Sequence, residues 1–158
     1  MWLKNLFFII FNMINFSLNK FRALFGISTV GARALIINEE NKILLVKHTY
    51  RKYWYIPGGG VKAGETVLQA LARELKEEVG LTIQEEPKML GVYFNRFQGA
   101  NDYPVVYIIT KFTLQNTYSF EIEQTQWFPL KNLPLDISPG TLRRVKEYLG
   151  ENKKMEQW

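Results

Sequence analysis

The chain has 158 residues, of which 47% are apolar and 15% aromatic, and its formal net charge is +5. This length and composition predict one globular domain with a sizeable core, and the modest positive charge favours anionic partners without choosing among phosphates, nucleic acid and lipid. The absence of cysteine and the presence of one histidine, His48, exclude a disulfide scaffold, a thiolate nucleophile and a metal site of several histidines or cysteines.

The first predicted element is an amphipathic helix over about residues 3–24, ended by Gly26. Its polar residues fall on one stripe of a helical wheel, and most other positions are apolar; the polar stripe is Lys4, Asn5, Asn12, Asn15, Asn19 and Arg22. We treat residues 1–26 as an N-terminal extension of the domain.

Strand patterns begin at residue 29. The segments TVGARALII (29–37) and KILLVKH (42–48) are separated by the turn residues NEEN, which predicts a hairpin. YWYI (53–56) is predicted to be a short strand. The glycines at 58–60 predict a loop, because glycine weakens regular elements and permits positive φ.

A second helix is predicted from Val67 to Val79. Thr66 and Gln69 have the spacing of a capping box, and Gly80 suits the residue that follows a helix. The remaining pattern is four strands and a C-terminal helix, over LTIQEE, KMLGVYFNR, PVVYIITKFT, the surroundings of TQWF, and Leu142 to Leu149. This mixed order predicts an α+β fold and not regular βαβ winding.

Three carboxylates lie along one edge of the predicted helix. Glu74 and Glu78 are one turn apart, where like charges repel, and Glu77 lies beside them. A solvated charged face is one interpretation. A divalent cation explains the arrangement better, because hard oxygen ligands suit Mg²⁺ and chelation replaces the repulsion.

Residues 59–81, GGVKAGETVLQALARELKEEVGL, resemble the Nudix box, G-x5-E-x7-R-E-U-x-E-E-x-G-U with U aliphatic. Every specified position matches: Gly59, Glu65, Arg73, Glu74, Leu75, Glu77, Glu78, Gly80 and Leu81. The strands before the box and EIEQTQWFPLKNLP after it also resemble the family, so the resemblance spans about 29–149. It implies a Nudix-type α/β/α sandwich with a mixed sheet over 27–150, followed by a polar tail at 151–158.

The resemblance implies metal-dependent hydrolysis of a nucleoside diphosphate linked to another moiety. The implied ligands of Mg²⁺, or alternatively Mn²⁺, are the carboxylates of Glu74, Glu77 and Glu78 and the carbonyl of Gly59. The carboxylate that activates water stays open among Glu77, Glu78 and Glu121. The other matched pair is implied to brace the loop against the helix, and it consists of Glu65 and Arg73.

Candidate substrate contacts lie before the box. Lys47, Arg51 and Lys52 are predicted to meet phosphate oxygens, together with the backbone of Gly58, Gly59 and Gly60. Nearby aromatic residues are candidates for base stacking, with ordinary packing as the competing interpretation: Tyr50, Tyr53 and Trp54. His48 is expected to be a surface or hydrogen-bonded strand residue more than a general base. Candidates for the far wall are Tyr93, Asn95, Arg96 and Asp102.

Two other functions stay open. A non-catalytic nucleotide-binding module would be indicated by lost box carboxylates, and none is lost here. An RNA 5′-pyrophosphohydrolase would need a broad basic stripe with aromatics, whereas the sequence has only the cluster at 47–55. Nucleic acid is therefore less expected than a small nucleotide. The sequence does not indicate the oligomeric state.

The N-terminal helix is not explained by the box. Its apolar run is short and lacks a cleavage site, which argues against a signal peptide, and three asparagines interrupt it, which argues against a transmembrane span. Packing onto the domain or a second subunit remains open. We favour a helix in a membrane surface, with Lys4, Lys20 and Arg22 near lipid head groups and residues 1–25 as the anchor. The catalytic domain is then expected in the cytoplasm, peripheral to the membrane.

Overall fold

The computed structural model describes residues 10, 13, 14, 16–18, 20, 21, 24–97, 99–151 and 156–158, with the backbone alone at 97. Its elements, in chain order, are β1 (Thr29–Ile36), β2 (Lys42–His48), β3 (Trp54–Tyr55), β4 (Gly58–Gly60), α1 (Val67–Val79), β5 (Leu81–Ile83), β6 (Lys88–Val92), β7 (Asn95–Phe97), β8 (Ala100–Ile109), β9 (Phe112–Leu114), β10 (Ile122–Pro129) and α2 (Pro139–Tyr148).

The main sheet is mixed. Its strand order is β4-β1-β8-β6, with β7 also paired to β8. Strands β1 and β8 run parallel, from Thr29 opposite Asp102 to Ile36 opposite Ile109, and the other pairs of this sheet are antiparallel. A second antiparallel sheet has the order β10-β2-β3, and β5 pairs with β9.

Helices α1 and α2 cover opposite faces of these strands. Side chains alternate along a strand, so Ala32, Ala34 and Ile36 of β1 pack towards α1 while Leu35 packs towards α2. The buried α1 residues of the first core are Ala70, Leu71, Leu75 and Val79, and the buried α2 residue of the second core is Val145. The predicted α+β class and the α/β/α sandwich are confirmed.

The predicted hairpin is wrong beyond its turn. Asn38 N–H donates to the Lys42 carbonyl at 3.0 Å, and Ile37 bridges to Ile43. The strands then separate, because β1 is paired on both edges, by β4 and β8, while β2 pairs with β3 and β10. The turn chemistry was therefore predicted correctly and the pairing was not.

The predicted glycine loop is also wrong, since Gly58–Gly60 forms strand β4 antiparallel to β1. Gly58 has φ of 127°, and a Cβ there would lie 3.0 Å from the Arg33 Cα and closer still to the Ala32 carbonyl oxygen. The glycine therefore allows two backbones to approach closely, which a larger residue would prevent.

The ends of α1 follow the prediction. Thr66 Oγ1 accepts from Gln69 N–H at 3.2 Å, Gln69 Oε1 accepts from Thr66 N–H at 2.8 Å, and Gly80 has φ of 65°. Helix α2 begins before the predicted Leu142, because Ser138 caps it by accepting from Thr141 N–H at 3.2 Å.

The N-terminal segment is described in part. The described residues from Ile10 to Leu24 are helical, and the rest of the helix predicted over 3–24 lies outside the described residues. Its amphipathic character stays a prediction. Within the described part of the chain, no helix combines the length and the apolar character that crossing a membrane requires.

Candidate active site

Arg73 ties helix α1 to the strand and loop before it. Its Nε donates to Glu65 Oε1 at 2.6 Å, and its Nη2 donates to Glu65 Oε2 at 3.0 Å and to the Gly60 carbonyl at 3.1 Å. Its Nη1 donates to Glu74 Oε1 at 2.5 Å and lies 3.5 Å from Glu77 Oε2. The hydrogen bonds from Arg73 hold the pKa of Glu65 well below its usual range. These hydrogen bonds join the loop residue Glu65 to the helix, and the bracing role of Glu65 and Arg73 stays a prediction.

Glu74 lies directly against strand β4. A Cβ built on Gly59 would fall 2.5 Å from Glu74 Oε1 and closer still to other atoms of that carboxylate. Any side chain at position 59 would displace Glu74. The backbone of Gly59 and the carboxylate of Glu74 therefore lie together, and their role as metal ligands stays a prediction.

Glu78 is the buried carboxylate of α1, 7% exposed. Its Oε2 accepts a hydrogen bond of 2.8 Å from Gly58 N–H. Burial raises the pKa of Glu78 to about 7, although the Gly58 hydrogen bond and the charge of Arg33 oppose that shift. In the metal-free chain this carboxyl group therefore exchanges its proton near neutral pH.

These groups open onto a cavity of about 740 Å³, a size typical of small-molecule sites. Most of the predicted residues line it. The predicted site residues in its wall are Arg51, Gly58, Gly59, Gly60, Arg73, Glu74, Glu77, Glu78 and Glu121, and they are joined by Tyr50, Asn95 and Asp102.

Glu121 reaches the cavity from the residue before β10. Its carbonyl accepts from Thr49 N–H at 2.9 Å, and Tyr50 Oη donates to its Oε2 at 3.3 Å. The end of β2 therefore fixes the position of a late carboxylate in the same cavity as Glu78.

Lys47 and Lys52 do not line the cavity, so the structure does not support their predicted role. Lys47 shares the face of Leu45 in β2, opposite to His48, and its Nζ lies 2.9 Å from Asp136 Oδ2. Lys52 Nζ lies 5.7 Å from the centroid of the Tyr53 ring.

The aromatic candidates also divide. Tyr50 lines the cavity, whereas Trp54 is buried in the core with its ring 5.0 Å from that of Phe128. Of the far-wall candidates, Tyr93 is buried and donates to Glu147 Oε1 at 3.0 Å. Ordinary packing therefore explains Trp54 and Tyr93.

Sequence reasoning missed Arg33. It lies in β1 opposite Gly58 and lines the cavity. Burial lowers the pKa of its guanidinium, while the charge of Glu78 opposes that shift. The available signal was one arginine within the apolar strand TVGARALII, since a charge in a buried strand needs a partner.

His48 was expected to be a surface or hydrogen-bonded strand residue, and the structure differs in both respects. It is 7% exposed, lines the cavity, and its Nδ1 has no hydrogen-bond partner among the described residues. Burial, followed by the charges of Arg51 and Arg33, lowers its pKa to about 3. The imidazole is therefore neutral at physiological pH and faces the cavity as a polar, uncharged group.

The carboxylates of Glu74, Glu77 and Glu78 fit a hard divalent cation, because such an ion prefers oxygen ligands, and Gly59 of the adjacent strand β4 lies against Glu74. Among the described residues, no three acidic or histidine side chains are already arranged around a metal position. Arg73 engages Glu74 and Glu77, and Gly58 engages Glu78. Binding of a metal would exchange these contacts for metal–oxygen bonds.

A family model described as the NUDIX domain matches residues 28–149. An ADP-ribose pyrophosphatase of Methanocaldococcus jannaschii is 36% identical over 119 residues, which cover 72% of this chain and 69% of that protein. An 8-oxo-dGDP phosphatase of Mus musculus is 32% identical over 111 residues. These cover 66% of this chain but only 33% of that relative. Among solved structures, a MutT NUDIX hydrolase from Burkholderia pseudomallei has a TM-score of 0.67 at 28% identity, covering 75% of this chain and 96% of that one.

Proposed function

We propose that this chain, which belongs to the NUDIX family of hydrolases, hydrolyses the diphosphate bond of a nucleoside diphosphate linked to another moiety. Water attacks phosphorus in this reaction, the P–O bond to the bridging oxygen breaks, and the leaving group departs as a phosphate monoester. The observation that carries the proposal is the buried Glu78, held by Gly58 in the same cavity as Arg33.

The cavity offers what a diphosphate needs. The negative charge of a diphosphate repels nucleophiles. The guanidinium groups of Arg33 and Arg51 counter it, because they supply positive charge and several hydrogen-bond donors to phosphate oxygens. The carboxylates of Glu77, Glu78 and Glu121 are the candidates for taking the proton of the attacking water. In the metal-free chain burial raises the pKa of Glu78 to about 7. A cation bound beside it would lower that pKa, so all three carboxylates stay candidates.

Mg²⁺, with Mn²⁺ as the alternative, would be held by Glu74, Glu77, Glu78 and the Gly59 carbonyl. When bound, such an ion neutralises phosphate charge and lowers the pKa of water. Without the ion, the contacts of Arg73 would keep the carboxylates of Glu74 and Glu77 near their positions.

The test is a substrate panel with Mg²⁺ and then Mn²⁺. It includes ADP-ribose and 8-oxo-dGDP, because relatives of this chain are named for them, together with nucleotide sugars, dinucleoside polyphosphates and triphosphorylated RNA. Reaction in ¹⁸O-water identifies the attacked phosphorus by the labelled product. We expect a nucleoside monophosphate as one product.

Two results would favour the alternatives. Binding of nucleotides without hydrolysis of any panel member by either metal form would indicate a binding module. Preference for triphosphorylated RNA, with affinity that falls steeply as salt increases, would indicate an RNA pyrophosphohydrolase.

We also propose that the N-terminal segment lies on a membrane surface at the cytoplasmic side. The apolar side chains described there are open to solvent, with Met13 64%, Phe21 55% and Leu24 80% exposed. Such a set of exposed apolar groups favours association, and Lys20 adds attraction to anionic head groups.

A further inference from the structure

One part of the cavity wall comes from β7, β8, α2 and Trp158, and it contains none of the helix carboxylates. It is lined by Asn95, Asp102, Pro104, Thr141 and Trp158. We propose that Trp158 is the aromatic wall of a subsite for the substrate's nucleobase, with Asp102 and Asn95 as its polar edge. This inference rests on the proposed function, because it names the group that the same cavity holds beside the diphosphate.

The backbone of Trp158 is held from two sides. Its N–H donates to the Phe94 carbonyl at 2.8 Å, and Arg143 donates to its carbonyl oxygen. Gln157, the preceding residue, accepts from Arg144 Nη1 at 3.1 Å and bridges to Phe94. Trp158 therefore lines the cavity with its backbone held in place.

The indole ring packs against Gly140 of α2. A Cβ on Gly140 would lie 2.8 Å from Cε2 of Trp158 and closer to Nε1, so the ring occupies the space that any other residue would fill. The ring also stands edge to face with Tyr93 at 6.1 Å and lies 5.8 Å from the Arg144 guanidinium. A rigid aromatic surface of this kind stacks bases at low entropic cost.

The side chains of the polar edge, Asn95 and Asp102, are positioned by strand pairing and by a hydrogen bond. Asn95 and Asp102 are register partners in β7 and β8, and Asp102 Oδ1 accepts from Thr29 Oγ1 at 2.7 Å. A carboxylate accepts hydrogen bonds and an amide both donates and accepts. This pairing suits a base that carries an exocyclic amino group, such as adenine.

The distance between the subsite and the chemistry is set by the sheet. Strand β1 carries both Thr29, which orients Asp102, and Arg33, which lies near Glu78. The two side chains point to the same face of the strand and are two positions apart on that face. A nucleoside 5′-phosphate spans such a separation, since strand residues rise about 3.3 Å each. The base can thus lie at Trp158 while its phosphates reach Arg33.

The experiment compares equilibrium binding of AMP and ribose 5-phosphate, which lacks the base, to the full chain. The variants are Trp158→Ala, Trp158→Leu, Trp158→Phe and Gly140→Ala, with the exposed Leu135→Ala as control. We expect Trp158→Ala, Trp158→Leu and Gly140→Ala to raise the Kd for AMP about tenfold and to leave that for ribose 5-phosphate within about twofold. Trp158→Phe should retain most AMP affinity, because it keeps a ring.

The leucine variant keeps apolar packing on Gly140, so it tests stacking even if the alanine variant fails to fold. Equal weakening of both ligands would assign Trp158 a purely structural role, and unchanged AMP affinity would show that the base lies elsewhere; either result overturns the inference. Wild type that binds neither ligand overturns it as well. Failure of the proposed function is separate, because it would be a lack of diphosphate hydrolysis with the AMP preference intact.

Discussion

The main-chain N–H of Gly58 donates a 2.8 Å hydrogen bond to Oε2 of Glu78, so a strand made of glycines holds the buried carboxylate of the neighbouring helix. Burial raises the pKa of Glu78 to about 7 from an ordinary value of 4.5. The stability of the metal-free chain and its turnover should therefore both depend on this one group.

The first prediction concerns stability against pH. In the unfolded chain Glu78 ionises near 4.5, and in the folded chain near 7, so folding favours its protonated form. This contribution is fully present below pH 4.5 and is lost as pH rises through 7. In EDTA, we expect the free energy of unfolding to fall by roughly 2–3 kcal/mol more in wild type than in Glu78→Gln between pH 5 and pH 8. Urea denaturation at each pH measures it, and parallel curves for the two proteins would contradict it.

The second prediction concerns turnover. Glu78→Gln keeps an oxygen that can accept from Gly58 but removes the charge and the proton acceptor. We expect kcat to fall by at least about a thousandfold, equivalent to roughly 4 kcal/mol of barrier, with folding intact. Glu86→Gln, an exposed glutamate outside the cavity, is the matched control and should keep full activity. More than a tenth of wild-type turnover in Glu78→Gln would remove Glu78 from the mechanism.

The third prediction separates bracing from chemistry. Arg73→Ala removes hydrogen bonds to Glu65, Gly60 and Glu74, so we expect a Tm lower by about 3–6 °C as well as slower turnover. Glu65→Gln should lower the Tm by less, because the amide still accepts one hydrogen bond from Arg73. Scanning calorimetry in EDTA measures both. An unchanged Tm in Glu65→Gln with turnover abolished would place Glu65 in the chemistry instead.

Local signals in the sequence were sufficient for helix α1. Thr66, Gln69 and Gly80 determine its ends through contacts within a few residues, and the helical period places Glu74, Glu77 and Glu78 on one edge. The burial of Glu78 was not predictable, because it depends on β4 lying against the helix, and three glycines indicate a loop when they are judged locally.

Long-range pairing explains the other differences. The turn at 38–41 predicted a hairpin, yet both edges of β1 are taken by strands that are distant in sequence or made of glycine. Lys47 was assigned to the site from its neighbourhood in sequence, although strand alternation turns it away from His48. Arg33 was missed because Glu78, whose charge acts on its pKa, lies 45 positions later in the sequence.

The last prediction concerns residues 1–25. Deleting them should leave activity nearly unchanged, because the cavity is lined by residues from 33 onwards, and should abolish co-sedimentation with anionic liposomes. Replacing Met13 and Phe21, both exposed, by aspartate in the full chain should weaken sedimentation similarly, since charged groups oppose insertion of the helix face into the head-group region.

Liposomes of neutral lipid serve as the control for charge. If Lys4, Lys20 and Arg22 contribute attraction, wild type should sediment less with neutral than with anionic vesicles, and added salt should reduce the difference. A deletion variant that misfolds or changes its oligomeric state, as measured by circular dichroism and light scattering, would show that the segment belongs to the fold or to a subunit interface. The membrane proposal would then fail, because the apolar side chains would have a protein partner.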